Sequence, residues 1–186
     1  MKSSFLLLLF FIISNPIVIA QENDWVNTKD LELAYRIDFP IKVEKNSQNI
    51  PTKKGEVEMI SYMLNSSNTD NLVYMSAFTE YPSSFFLDGL DTPEKQNVVL
   101  DGAVNGAAAN VKGELISDAK ITFNGYSGRI AKIELESGGA AYVIRMKIVL
   151  VGFKLYMMQT ISTKANDDNS DTSQFFDSFE LINVKQ

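Results

Sequence analysis

Residues 114–163 read ELISDAKITFNGYSGRIAKIELESGGAAYVIRMKIVLVGFKLYMMQTIST, and this stretch decides the fold. It holds four apolar-rich runs, Leu115–Phe123, Tyr126–Glu136, Ala140–Val151 and Lys154–Ser162, parted by short glycine signals. Asn124-Gly125 suits a type I′ turn, because both central residues of that turn need positive φ. Gly138-Gly139 supplies a second reversal, and Gly152-Phe153 fits a type II′ turn with glycine in the first central position. The spacing predicts an up-and-down antiparallel meander with no helix inside it.

The four runs use their faces differently. Ala131, Ile133 and Leu135 alternate with Lys132, Glu134 and Glu136, so that strand is buried on one side only. Tyr142, Ile144, Met146, Ile148 and Leu150 form one apolar row, and Val143, Val149 and Val151 add a partial second. Leu155 and Met157 alternate with Tyr156 and Met158, apolar on both sides. Strands apolar on both faces need cover on both, and two helices are the candidates for it.

Working outward, Thr92-Pro93-Glu94 is a helix start: an N-cap, a proline at the first helical position and an acid facing the positive end of the dipole. Leu100, Ala103, Val104, Ala107, Ala108 and Val111 recur at helical spacing until Gly113. A second, short helix is expected with Asp171 as cap, Gln174 answering it, and Phe175, Phe176 and Phe179 on one face. Upstream, Tyr35-Arg36-Ile37-Asp38-Phe39 alternates as a half-buried strand stopped by Pro40. Residues 44–55 read as a polar loop. Glu56–Leu64 and Leu72–Tyr81 form a hairpin around the polar loop Asn65–Asn71, and Phe179–Ile182 finishes as a strand or extended tail.

The first twenty residues are read as a signal peptide. Lys2 gives a positive start, Phe5–Ile13 an apolar core, Asn15-Pro16 a break, and Val18-Ile19-Ala20 acceptable residues before a cleavage point. The apolar run falls short of the about 20 residues a membrane span needs, and no cysteine follows it to carry a lipid. Residues 21–186 then form one α+β domain, expected to be periplasmic or extracellular, with no stable membrane insertion after cleavage. The net charge of −6 and the lack of any basic run speak against a nucleic-acid partner. With no cysteine in the chain, packing alone must hold this exported domain together.

Absent residues narrow the chemistry further. Without histidine or cysteine, Ser-His-Asp and Cys-His sites are impossible, as are zinc sites built on imidazole or thiolate. Glu134 and Glu136 could be a carboxylate pair, but a solvated strand face beside Lys132 accounts for them. Ser127 in Gly125-Tyr126-Ser127-Gly128 misses the nucleophile-elbow spacing by one. Asp167, Asn169 and Asp171 open like a calcium loop, yet Thr172 and Ser178 stand where that loop needs glycine and glutamate. Met157-Met158, with Met146, Met59, Met63 and Met75, reads as core filler, since adjacent strand residues point to opposite faces. No metal or other cofactor is expected.

Ser83-Ser84-Phe85-Phe86-Leu87-Asp88-Gly89-Leu90 is the stretch that asks for more. It puts Phe85, Phe86, Leu87 and Leu90 into a turn-rich connection, and Phe153 sits in a tight turn. Two readings stand. The loop closes one end of the core as a flap, or its aromatics meet a partner or ligand.

The order of elements, with Phe39-Pro40 ending an early strand and Phe175-Phe176-Asp177-Ser178-Phe179-Glu180-Leu181 closing the chain, resembles the PsbP-like α/β/α sandwich family. That family includes an extrinsic photosystem II protein, a Ran-binding nuclear import factor and exported bacterial proteins of unknown role. The resemblance to the exported bacterial branch implies an antiparallel sheet of six to seven strands flanked by helices, and an accessory character. It assigns no site residues. The expected function is a non-catalytic, exported binding or accessory protein acting through contact with an envelope or extracellular protein. The alternative is a carrier of a small apolar ligand between the long helix and the sheet, in room left by the small residues at 102–109. An enzyme working through carboxylates is the remaining class.

Overall fold

The computed structural model describes residues 25–52 and 54–184; the expected signal peptide at residues 1–20 lies outside the described residues. The elements in chain order are β1 (Val26–Asp30), β2 (Tyr35–Phe39), β3 (Lys45–Thr52), β4 (Gly55–Asn65), β5 (Asn71–Glu80) and α1 (Pro93–Asn110). There follow β6 (Glu114–Phe123), β7 (Tyr126–Ser137), β8 (Ala140–Val151), β9 (Lys154–Thr163), α2 (Ser170–Asp177) and β10 (Glu180–Leu181). Seven strands make one antiparallel sheet in the order β3-β4-β5-β9-β8-β7-β6, and β1-β2-β10 make a separate small sheet.

The meander forms as its turns require. Phe123 pairs with Tyr126, Ser137 with Ala140 and Val151 with Lys154, so each reversal has two central residues. Asn124 and Gly125 take φ of 51° and 84°, and Gly138 and Gly139 take 59° and 79°, as type I′ turns demand. Gly152 alone is positive in the third turn, at 57°, which fits type II′.

Each face of the large sheet carries its own core. On one face α1 sets Leu100, Val104 and Ala108 against Ala131, Ile133, Ile144, Met146, Ile148, Leu150 and Leu155. Burying a leucine or valine fully contributes about 1.5–3 kcal/mol, and Leu100 and Val104 are both 0% exposed. On the other face Tyr74, Phe78, Val149, Val151, Tyr156 and Met158 meet Tyr35, Ile37 and Phe39 of β2 and Phe175, Phe176 and Phe179 of the C-terminal segment. The two helices do flank the sheet, one on each face, as expected, and the small sheet beside α2 is an addition to that cover. The second roof is β2's small sheet with α2 beside it, because alternation in Tyr35–Phe39 aims three large rings or branches one way.

Two local expectations are corrected. Residues 45–52 are a strand, paired from Lys45↔Tyr62 to Thr52↔Gly55. As an edge strand open to solvent on both faces it has no apolar alternation to announce it, and an edge tolerates Pro51. The cap of α2 is Asn169, whose Oδ1 accepts from the Thr172 amide at 2.8 Å. Asp171 lies in the first turn and accepts from the Tyr74 hydroxyl at 2.9 Å.

Candidate functional site

The loop from Pro82 to Thr92 is a chain of turns. Ser83–Phe85 is one turn of 3-10 helix, with Phe85 and Phe86 amides donating to Pro82 and Ser83 carbonyls at 2.9 and 3.0 Å. Gly89, at φ 72°, donates to the Phe86 carbonyl at 2.8 Å and lets the chain swing back toward α1. The side chains divide between inside and outside. Phe86 turns in, stacking on Phe153 at 5.9 Å between ring centroids and meeting Tyr81 edge-on at 5.8 Å. Leu90 is buried in the α1-side core. Leu87 points out, 91% exposed.

Two other elements complete the place. The turn between β3 and β4 brings the Lys54 ammonium to 4.7 Å from the centre of the Phe86 ring, where it also donates to the Phe85 carbonyl. Gly55 lies so near that a side-chain carbon there would come within 3.2 Å of the Phe85 ring. The first turns of α1 contribute Lys95, Val98 and Val99. Together these enclose an open groove of about 620 Å³. Lys95 donates to Asp91 at 2.7 Å and to the Asp88 carbonyl at 2.5 Å, which fixes the far end of the loop. Gln96 holds the Leu90 carbonyl at 2.9 Å and accepts from Ser127 at 2.7 Å. Ser127 is thus a link between α1 and β7.

Of the residues singled out from sequence, Phe85, Phe86, Leu87 and Leu90 line this groove, while Phe153 backs Phe86 from the β8–β9 turn. Sequence reading missed Lys54, Lys95, Val98 and Val99. Val98 carried a signal: it lies off the apolar stripe of α1 and is 72% exposed. The small residues at 102–109 do not all turn toward the sheet. Gly102 and Gly106 are exposed, with open space where a side chain would start, and Leu100, Val104 and Ala108 close the interface.

The remaining constellations are bound up in ion pairs and packing. Glu134 meets Lys132 at 3.2 Å and Lys164 at 2.6 Å. Asp167 meets Lys132 at 2.6 Å and Arg145 at 2.7 Å. Burial would raise the Asp167 carboxyl, but hydrogen bonds and charge from Arg145 and Lys132 outweigh it and bring it down to about 2. Met157 and Met158 pack into opposite cores. Arg129, read from sequence only as a strand residue, is 2% exposed and bonds Asp101 and Asn97 of α1 at 2.5 and 2.8 Å, and Asp118 of β6 at 3.3 Å.

No protein-family model and no curated protein matches the chain. Among solved structures it is similar to cyanobacterial PsbP from Synechocystis sp. PCC 6803, with a TM-score of 0.53 and 16% identity over 84% of this chain and 91% of that one. A protein of unknown function from Pseudomonas aeruginosa shows a TM-score of 0.41 and 12% identity over 68% of this chain and 90% of that one. A protein from Bacteroides thetaiotaomicron shows 0.44 and 9% over 82% of this chain and 46% of that one. No helix among the described residues is long and apolar enough to cross a membrane. The two-sided antiparallel sheet, the long helix on one face and the match to the cyanobacterial protein lead to one conclusion: this chain has the PsbP-like fold.

Proposed function

We propose that this protein is an exported, non-catalytic accessory module that works by contact with an envelope or extracellular protein, through the groove between Phe85–Leu90 and Val98. The observation that carries the reading is the pairing of Leu87, 91% exposed, with Val98, 72% exposed, on the two walls of one groove. Large apolar side chains held out on a rigid support are the usual core of a recognition surface. Phe86 and Leu90 supply that support by anchoring the loop on both sides of Leu87. Export rests on the pattern of residues 1–20, and the lack of catalysis on a chain without histidine or cysteine.

A second reading is favoured by the groove's size. About 620 Å³ lies within the range of small-molecule sites, so a small apolar ligand could occupy the same place. One experiment separates the two. The protein and its Leu87→Ser/Val98→Ser variant are purified from the native host by mild affinity capture and weighed by native mass spectrometry. A protein partner held by the wild type and lost by an equally stable variant supports the accessory reading. A small molecule retained in its place supports the carrier, and identical spectra from both proteins reject the groove.

A further inference from the structure

β6 is an open edge of the large sheet, with β7 on one side and no described strand on the other. Past the irregularity between Leu115 and Ser117, residues Ser117–Phe123 pair with β7 in unbroken register. An edge of this kind offers unpaired backbone N–H and C=O groups to another strand. Edge charges ordinarily discourage that pairing. Here the charges are Asp118 and Lys120, opposite in sign and two residues apart on one face. Lys120 stands across from Arg129, a like charge, and has no ion-pair partner among the described residues. Arg129 is meanwhile shared by two carboxylates, Asp101 and Asp118, so Asp118 is only partly engaged while Lys120 beside it makes no ion pair among the described residues. On the other face Ala119 lies opposite Ile130, which stays 39% exposed.

We propose that β6 pairs antiparallel with β6 of a second copy of this chain, about a two-fold axis through Ala119, joining the two sheets into one. In that register Asp118 faces Lys120 of the other copy, and Lys120 faces its Asp118. Moving the axis one residue either way would set Asp118 against Asp118 or Lys120 against Lys120. The match gives Lys120 the carboxylate it lacks among the described residues of its own chain, and gives Asp118, which shares Arg129 with Asp101, a second cation. It also brings the two Ile130 side chains to either side of an alanine seam, where the exposed apolar surface is covered.

The chain has no cysteine, so single-cysteine variants report the register directly. Ala119→Cys should cross-link to its counterpart under mild oxidation, since directly opposed Cα atoms are about 4.5–5.5 Å apart, within disulfide reach. Ser117→Cys and Ile121→Cys should not, because each lies about 13 Å along the edge from its own counterpart. In sedimentation equilibrium, Lys120→Glu and Asp118→Lys should each dimerise at least about tenfold more weakly than the wild type, and an equimolar mixture of the two should recover the association. Asp118→Lys leaves Arg129 its bonds to Asp101 and Asn97, and circular dichroism checks that both variants stay folded. A wild type that is monomeric at every concentration overturns the proposal. So does cross-linking at 117 or 121 as readily as at 119, or a dimer indifferent to both charge reversals.

Discussion

Phe86 lies nearly flat against Phe153, the two ring planes 15° apart, and this contact ties the loop after β5 to the turn between β8 and β9. The loop therefore has two parts with different duties. Phe86 and Leu90 are its feet in the core, and Leu87 is what those feet hold up. The inward residues expected of a flap and the outward residue that the proposed recognition surface needs are close neighbours in one loop.

That division gives the first prediction. Phe86→Ser removes a ring with two aromatic neighbours and should cost about 2–3 kcal/mol in urea unfolding. Leu87→Ser, at a site 91% exposed, should change stability by less than about 0.5 kcal/mol. Equal losses from both would mean the loop has no outward-facing part.

Arg129 sets up the second. Its guanidinium is 2% exposed and bridges α1 to β6 and β7. Arg129→Ala empties a buried position and takes the cation from Asp101 and Asp118, whose side chains are 50% and 25% exposed, and should cost about 2 kcal/mol. Arg129→Met, which refills the volume but not the charge, should recover only part of that, because the carboxylates remain. Thermal unfolding of the three proteins in one buffer checks the order.

Acid stability is the third. Asp167 is brought down to about 2 by Arg145 and Lys132, below its ordinary value of about 3.9 in an unfolded chain. A carboxyl lowered on folding stabilises above its unfolded pKa and loses that contribution as pH falls through the folded one. Asp167→Asn should therefore be less stable than the wild type by up to about 2 kcal/mol at pH 6. The gap should close between about pH 4 and pH 2. A difference that is the same at pH 6 and pH 2 would show that the carboxylate's charge is not what matters.

Asn71 provides the fourth. It is 0% exposed and exchanges hydrogen bonds with Asn169 at 3.1 and 2.9 Å while accepting from the Thr172 hydroxyl at 3.0 Å. The first residue of β5 thus steadies the cap of α2. Asn71→Ala removes three hydrogen bonds at a buried site, although Asn169 keeps the Thr172 amide and Thr172 keeps Thr160, and should cost about 1–2 kcal/mol. Hydrogen exchange should show the amides of α2 losing protection more than those of α1.

The sequence was legible where local chemistry has few solutions. Asn124-Gly125 and Gly138-Gly139 can hardly be anything but tight reversals, and the stripe from Leu100 to Val111 has one helical reading. Legibility failed where a residue's role depends on something far along the chain. Lys45–Thr52 has no alternation because nothing covers either face, so only its pairing with β4 makes it a strand. Tyr35–Phe39 was recognisable as half-buried, but not as the roof of a core built by residues 74–158. Arg129 looks like any strand arginine until Asp101, from a different element, is placed beside it. In the groove, Phe85–Leu90 stood out by composition, whereas Lys54 arrives from a turn thirty residues earlier with nothing to mark it.

The small sheet draws β1 and β2 from one end of the chain and β10 from the other, with Glu180 paired to Arg36. Phe175 and Phe179 seal the layer against β2. Half of the interior is therefore closed only when residues 26–39 and 175–181, far apart along the chain, come together over the sheet. Without residues 175–181 in place, β2 alone would cover the aromatic side of the sheet, and that half of the interior would stay half-closed.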